Sequence, residues 1–359
     1  MDDMANVRIE KMERLPTFNQ LQKLFPLSSV ARRTVEKGRK DIINILSGID
    51  KRLLVLVGPC SVHDYDEMLE ISYRNSLLAK KYIDKMVLVE RVCLDKPRTK
   101  KDWPGFLNDP KLDGTYDIPF GYKRGVELMS KILDMELATS CELLNPINFH
   151  ILSNRVSFSW VGARTVTSPD VRNAASGVRN TASGISVPVG IKNSNGSDNI
   201  TDALNAMEFV TKPGIFPGPD DNGVCCRVVT KGNPNRVLIL RGAKSGPNYK
   251  EEFVSIAIQE LKKRGLPEKI IVDCSHGNCG GDYRKQVDVA RDVTRQRISG
   301  NHNLVGLMFE SYHKGGKQTV KLGEKDSRKK VKPRLSVTDA CLPQDDLEKL
   351  LEEIYLTLK

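Results

Sequence analysis

Cys60, His276 and Glu310 stand out for their chemistry, although no two of them are close in sequence. A thiolate, an imidazole and a carboxylate make a mixed S, N and O donor set. Such a set suits Mn, Fe, Co or Zn better than Mg or Ca. A second group is basic: Arg91, Lys96, Arg98, Arg164, Lys192 and Arg241. Arginine forks bind phosphate and carboxylate bidentately, and lysine supplies a point charge. Taken singly, each cation is equally well explained as a surface residue with an acidic neighbour. Six converging on one place would repel one another unless anions sat among them. Together they predict a pocket for a substrate with several negative charges.

The elements that must position these residues are short apolar runs. They are Leu53–Val57, Met86–Val92, a weaker one over Glu136–Leu144, Phe158–Gly162, Val187–Ile191, Val237–Leu240, Lys269–Val272 and Leu304–Phe309. Runs this apolar suit strands covered on both faces, as in a parallel sheet. Helical patterns lie between them, at Asp66–Tyr82, Gly121–Leu133, Tyr249–Arg264 and Asp282–Ile298. Eight βα units in this length predict an α/β fold of the (β/α)8 barrel type. Each run ends in polar or ionisable residues: Cys60, Arg91, Glu142, Arg164, Lys192, Arg241, His276 and Glu310 in turn. In such barrels the active site lies at the C-terminal ends of the strands. The expected organisation is a catalytic barrel over residues 51–359, preceded by a partly helical extension, 1–50, that packs against the barrel or a partner subunit. Leu347, Leu350, Leu351, Ile354 and Leu358 give the C-terminus one apolar helical face.

Composition narrows the setting. With 39% hydrophobic and 28% charged residues the chain reads as soluble and globular. No apolar run approaches the ~20 residues that span a bilayer, so no membrane partner is expected. The acidic N-terminal stretch lacks the apolar core of a signal peptide, which predicts a cytoplasmic protein. Eight scattered cysteines without a CxxC pair read as reduced thiols. Much of the net charge of +11 sits in Lys314–Arg334, with seven Lys and two Arg against two acids. No aromatic residue interleaves there, so it reads as a solvated loop, and no nucleic-acid partner is expected. Val171–Gly177 is repeated almost unchanged as Val178–Gly184. Seven residues make about two helical turns, so the second copy lengthens a barrel helix or the loop after it.

The motifs together resemble the type I 3-deoxy-D-arabino-heptulosonate-7-phosphate (DAHP) synthases. The resemblance rests on Leu56-Val-Gly-Pro-Cys-Ser-Val-His-Asp64, Lys96-Pro-Arg-Thr99, Trp103-x-Gly105, Leu107-Asn-Asp-Pro110 and Gly162-Ala-Arg-Thr165. It continues through Val189-Gly-Ile-Lys-Asn193, Leu240-Arg-Gly242, Gly246-Pro-Asn-Tyr249, Asp273-Cys-Ser-His-Gly-Asn278 and Thr338-Asp-Ala-Cys341. The Lys-Pro-Arg-Thr string separates this family from the related KDO-8-phosphate synthases. The resemblance implies a divalent-metal-dependent transferase that condenses phosphoenolpyruvate with erythrose 4-phosphate, the first step of the shikimate pathway to aromatic amino acids. It implies Cys60, His276, Glu310 and Asp339 as metal ligands, the last a residue that periodicity does not single out. It places Arg91, Lys96, Glu142, Gly162, Ala163, Arg164, Lys192 and Arg241 around phosphoenolpyruvate, and Pro97, Arg98 and Thr99 beside erythrose 4-phosphate. Cys60, Lys96 and His276 are the expected catalytic residues, with Lys96 shuttling a proton if cationic neighbours lower its pKa. A homo-oligomer, dimer or tetramer, is expected. The alternatives are a relative with another phosphorylated aldehyde and a non-catalytic paralogue.

Several positions depart from the family pattern. Ala243 replaces a glycine, Asn193-Ser-Asn-Gly-Ser-Asp198 is loosened, and the segment between Glu310 and Asp339 is long and basic. Many members are inhibited by Phe or Tyr beside the third and fourth βα units. There the usual Pro-Gln reads Phe149-His150, and the duplication falls in the neighbouring segment. Weakened or lost inhibition by aromatic amino acids is therefore expected.

Overall fold

The computed structural model describes residues 8–98, 102–177, 186–196, 200–319, 321 and 326–358. Eight parallel strands close into a barrel: β1 (Leu53–Val57), β2 (Met86–Arg91), β3 (Ala138–Glu142), β4 (Phe158–Val161), β5 (Val189–Lys192), β6 (Arg236–Leu240), β7 (Ile270–Asp273) and β8 (Leu304–Met308). Each pairs with its neighbours in sequence, and β1 closes the ring on β8 through registers such as Leu54↔Gly306. Five of the eight apolar runs contain one of these strands, and the other three, at Val187–Ile191, Val237–Leu240 and Lys269–Val272, each miss one residue at an end of theirs. β3 reads weakly from sequence because Thr139 and Ser140 are polar. Both are buried, and Ser140 donates its hydroxyl to the Glu90 carbonyl at 2.9 Å.

Side chains alternate between the two faces of each strand. In β1, Val55 and Val57 face the surrounding helices while Leu54 and Leu56 fill the barrel interior with Phe158, Trp160, Ile239 and Ile271. That interior is closed at the strands' N-terminal end by the extension. Helix α1 (Phe18–Leu24) precedes α2 (Ser29–Ser47), and α2 adds Ile42, Ile45 and Leu46 to the interior cluster. The approach is close: a Cβ on Gly38 would lie 2.7 Å from the Ser157 hydroxyl and 2.9 Å from Ala138 Cβ. Ser28 caps the start of α2, and Gly48, in the left-handed region at φ +79°, ends it.

The outer helices are α3 (Tyr65–Lys81), α4 (Ile118–Asp134), α5 (Pro146–Leu152), α6 (Pro169–Ser176), α7 (Thr201–Thr211), α8 (Glu251–Lys263), α9 (Gln286–Ile298) and α10 (Gln344–Thr357). All five apolar residues read onto the last helical face are buried. The first copy of the duplication ends α6; the second, 178–184, lies outside the described residues. An antiparallel hairpin joins Ile215–Pro219 with Cys225–Val229, although Pro217, Gly218 and Pro219 are poor strand formers and give no strand signal in the sequence. The basic stretch folds back on the start of α3. Arg328 pairs with Asp64 at 3.0 Å and Arg334 with Glu70 at 2.7 Å. All eight cysteines are free thiols, six buried, with Cys225 and Cys226 exposed on the hairpin. No helix among the described residues is long and apolar enough to cross a membrane.

Candidate active site

The strand ends gather the donor residues. After β1 the chain turns at Gly58, φ +137°, where a Cβ would meet the Arg91 carbonyl at 2.8 Å. This turn sends Cys60 into the barrel mouth. Asp339 returns to the same place because Ser311–Tyr312 pairs with Leu342–Pro343, and the Leu342 N–H donates to the Glu310 carbonyl at 2.8 Å. The long basic segment is therefore anchored at both ends, and its length does not displace Asp339. The Cys60 thiol and one carboxylate oxygen each of Glu310 and Asp339 lie within 4.8 Å of one another, with Cys60 Sγ 3.6 Å from Asp339 Oδ2. His276 stands beside this group, its Nε2 3.6 Å from Glu310 Oε1. Its Nδ1 lies 2.9 Å from Asp273 Oδ2 and 2.6 Å from the Ser275 hydroxyl. Such an outer hydrogen bond fixes the ring and leaves the other nitrogen free to ligate.

The donor set fits a transition-metal cation. Cys60 and Glu310 are fully buried. Burial pushes the Cys60 thiol well above its ordinary pKa, Glu310 and Asp339 push it further, and Lys96 opposes them. A thiol crowded by carboxylates in a dry pocket ionises readily only with a cation among them. Asp339 is held below the usual carboxylate value: burial raises it, but Lys96, His276 and Lys317 outweigh that.

The cations surround this centre. One cleft is lined by Lys96, Pro97, Arg98, Glu142, Gly162, Ala163, Arg164, Lys192 and Arg241, together with His276 and Asp339. Arg91 lies buried beneath it, 3.1 Å from Glu310, and its Nε and Nη1 have no partner among the described residues. Thr99 lies outside the described residues. Lys192 donates to Asp273 at 2.7 Å, and Arg164 reaches the Pro97 carbonyl at 3.4 Å. Arg98 donates to the Trp103 carbonyl at 2.8 Å, and Arg241 bonds Asn195. Gly162 leaves room for the Glu142 carboxylate, whose Oε1 a Cβ there would meet at 2.0 Å and displace. Burial lowers the Arg241 pKa, with Asp273 and Glu310 opposing.

Three features escaped sequence reasoning. Trp160 points into the barrel and lies under two cations, with Arg91 5.1 Å and Lys192 5.6 Å from its ring centroid. Asn195 and Thr338 also line the cleft. Asp273, in sequence only the first residue of the Asp273–Asn278 motif, links Lys192 to His276 and is held well below the usual carboxylate range. Burial opposes that shift, and His276, Lys192 and Arg91 overcome it. A further expectation is reversed. The Lys96 ammonium sits 3.2 Å from Cys60 Sγ and 2.9 Å from the Cys60 carbonyl. Burial lowers its pKa, but Cys60, Cys93, Glu310 and Glu142 more than offset this, and the net shift is upward. Its dominant neighbours are acidic, not cationic.

Fold and site thus define a class: a (β/α)8 barrel enzyme with a Cys, His and carboxylate centre beneath a cationic mouth. Comparison with known proteins supplies the family. The model of the DAHP synthetase I family matches residues 25–352, and the chain belongs to this family. It is 39% identical over 358 residues to the Tyr-sensitive phospho-2-dehydro-3-deoxyheptonate aldolase of Salmonella typhimurium, covering 99% of this chain and 97% of that one. The corresponding enzyme of Corynebacterium glutamicum is 36% identical over 359 residues, covering 99% and 94%. The solved structure of the Francisella tularensis aldolase superposes with a TM-score of 0.90 at 35% identity, covering 98% of each chain.

Proposed function

We infer that this chain is a DAHP synthase, a transferase that condenses phosphoenolpyruvate with erythrose 4-phosphate to give DAHP and phosphate. The observation that carries the reading is the single cleft joining the basic set to His276 and Asp339 directly above Cys60 and Glu310. Arg91, Arg164, Lys192 and Arg241 hold the phosphate and carboxylate of phosphoenolpyruvate, and the unpartnered donors of Arg91 suit an anion there. Pro97, Arg98 and Thr99 receive erythrose 4-phosphate. Cys60, His276, Glu310 and Asp339 would hold a divalent Mn, Fe, Co or Zn ion, which when bound supplies Lewis-acid polarisation of an aldehyde oxygen.

C3 of phosphoenolpyruvate attacks the aldehyde carbon, forming the new C–C bond while the aldehyde oxygen takes a proton. Lys96, kept protonated by its acidic neighbours, is placed to give that proton. Water adds at C2, returning one proton to Lys96, and the C2–O bond to phosphate then breaks as the C2 carbonyl forms and the hydroxyl proton leaves with the phosphate. Glu142 stands at the cleft wall, where its charge favours the protonated Lys96. The enzyme works in the cytoplasm, as a homo-oligomer, and meets neither membrane nor nucleic acid.

A phosphate-release assay with both substrates, with and without chelator, tests the reading. Activity is expected with erythrose 4-phosphate, less with arabinose 5-phosphate, and none after metal removal. Turnover that survives complete metal removal, or a preference for arabinose 5-phosphate, would overturn it.

A further inference from the structure

The barrel end opposite the active-site cleft carries a second concavity, of about 630 Å³. It opens where the C-terminus of α2 meets the start of β1, the start of β7 and the ends of α9 and α10. Its wall is partly apolar, from Ile45, Ile298, Val305 and Leu358. Polar residues line the rest, Lys51, Lys269 and Arg297 among them, and none of these three pairs with a carboxylate among the described residues. Arg297 donates to the carbonyls of Leu304, at 2.6 Å, and Lys51. Lys269 reaches the His302 carbonyl at 3.4 Å. The two acids at this site are already engaged. Asp50 accepts from Arg52 at 2.6 Å, and Asp84 accepts from the Tyr355 hydroxyl at 3.1 Å.

We infer that this cleft binds a small phosphate-bearing metabolite, its phosphate held by Lys51, Lys269 and Arg297 and its organic body against the apolar wall. The cations of this concavity, Lys51, Arg52, Lys85, Lys269 and Arg297, outnumber its two acids, and a concave surface with a net positive charge focuses its field and concentrates anions. A guanidinium fork beside two ammonium groups matches the several acceptor oxygens and divalent charge of a phosphate. The volume lies within the roughly 300–1,000 Å³ of small-molecule sites. The crowding has a visible effect on the cations. Burial lowers the Lys269 pKa, Lys51 and Arg297 lower it further, and Glu268 opposes weakly. Burial alone lowers that of Arg297. A bound anion relieves both penalties. It would also tie the end of α2, whose Ile45 reaches into the barrel interior, to the starts of β1 and β7.

Equilibrium dialysis with labelled inorganic phosphate, comparing the intact protein with Lys51→Ala/Lys269→Ala, tests this. Phosphate held at the catalytic cleft is common to both and cancels. The intact protein is expected to bind one phosphate per chain more than the variant and to gain more in thermal midpoint on adding phosphate. The variant's kcat and KM are expected to be unchanged. Equal stoichiometry and equal thermal response in the two proteins would overturn the inference. If circular dichroism shows that the double variant does not fold, the exposed Lys51→Ala change alone carries the same comparison, with weakened phosphate binding expected and unaltered binding refuting the site.

Discussion

Cys60 and His276 occupy their positions for different reasons, and each reason can be tested alone. Cys60 is placed by a backbone turn that only glycine allows at residue 58, whereas His276 is aimed by Asp273 and Ser275. Cys60→Ala and His276→Ala are expected to keep the fold by circular dichroism and to lower kcat by about 10²-fold or more, with metal content measured by atomic emission falling in parallel. Asp95, next to Lys96, gives a pH signature. Its carboxylate accepts from Asn108 and Asn148, each at 2.8 Å, yet burial raises its pKa to about 6. The protonated form is therefore favoured in the folded state. Its contribution is fully present below the unfolded value near 4 and is lost as pH rises to about 6. Urea unfolding across this window should show the intact protein losing about 1–3 kcal/mol that Asp95→Asn does not lose. A parallel decline in both proteins would place the titration elsewhere.

Helix α2 joins the extension to the barrel. Ile45 is 1% exposed within the interior cluster, so Ile45→Ala is expected to cost about 2–5 kcal/mol in chemical denaturation without changing the chemistry at the opposite end. Helix α5 carries the departure that bears on control. Phe149 is buried, and the His150 ring lies 5.5 Å from Phe18 of α1 and 3.3 Å from Asp221 in the hairpin turn. These contacts fill the region beside the third and fourth βα units with the chain's own side chains. We propose that inhibition by aromatic amino acids is weakened or lost. Titrating activity with Phe, Tyr and Trp, before and after deleting Val178–Gly184, measures it, and strong inhibition of the unaltered chain would refute the proposal.

At the scale of the molecule, the excess positive charge is divided between uses. Part of it folds onto the protein's own acids, as Arg328 and Arg334 do on α3, and part faces the two clefts at opposite barrel ends. The hairpin is less settled as a surface, because Ile215, Val224 and Val229 are each about 60% exposed. Exposed apolar side chains grouped on one element are a common mark of an association surface. A dimer or tetramer is the expected mass in sedimentation, and Ile215→Lys with Val229→Lys should lower it. A monomeric unaltered protein would refute the homo-oligomer.

The barrel was legible because its determinants are local. Each strand is a short apolar run, and a strand buried on both faces shows itself without knowledge of its neighbours. The chemistry at the strand ends was legible for the same reason, since a chain leaving a buried strand must become polar where it meets the mouth. Asp339 was not legible from periodicity. Its place follows from a short strand pair that returns a long segment to Glu310, and nothing in that segment's own pattern encodes the return. The extension could be read as partly helical, but that its helix α2 plugs the barrel depends on eight strands closing first. Trp160 reads as one more apolar strand residue, and only the barrel's curvature brings Arg91 and Lys192 onto its ring. The sign of the Lys96 shift was misjudged for a related reason. Net charge along the sequence is basic, but a pKa answers to the few groups within several ångströms, and closure of the barrel brings Cys60, Glu310 and Glu142 nearest. Residue types and their strand ends were thus determined by the sequence itself, while distances, neighbours and the sign of each electrostatic effect were decided by tertiary closure, because they depend on residues far apart along the chain.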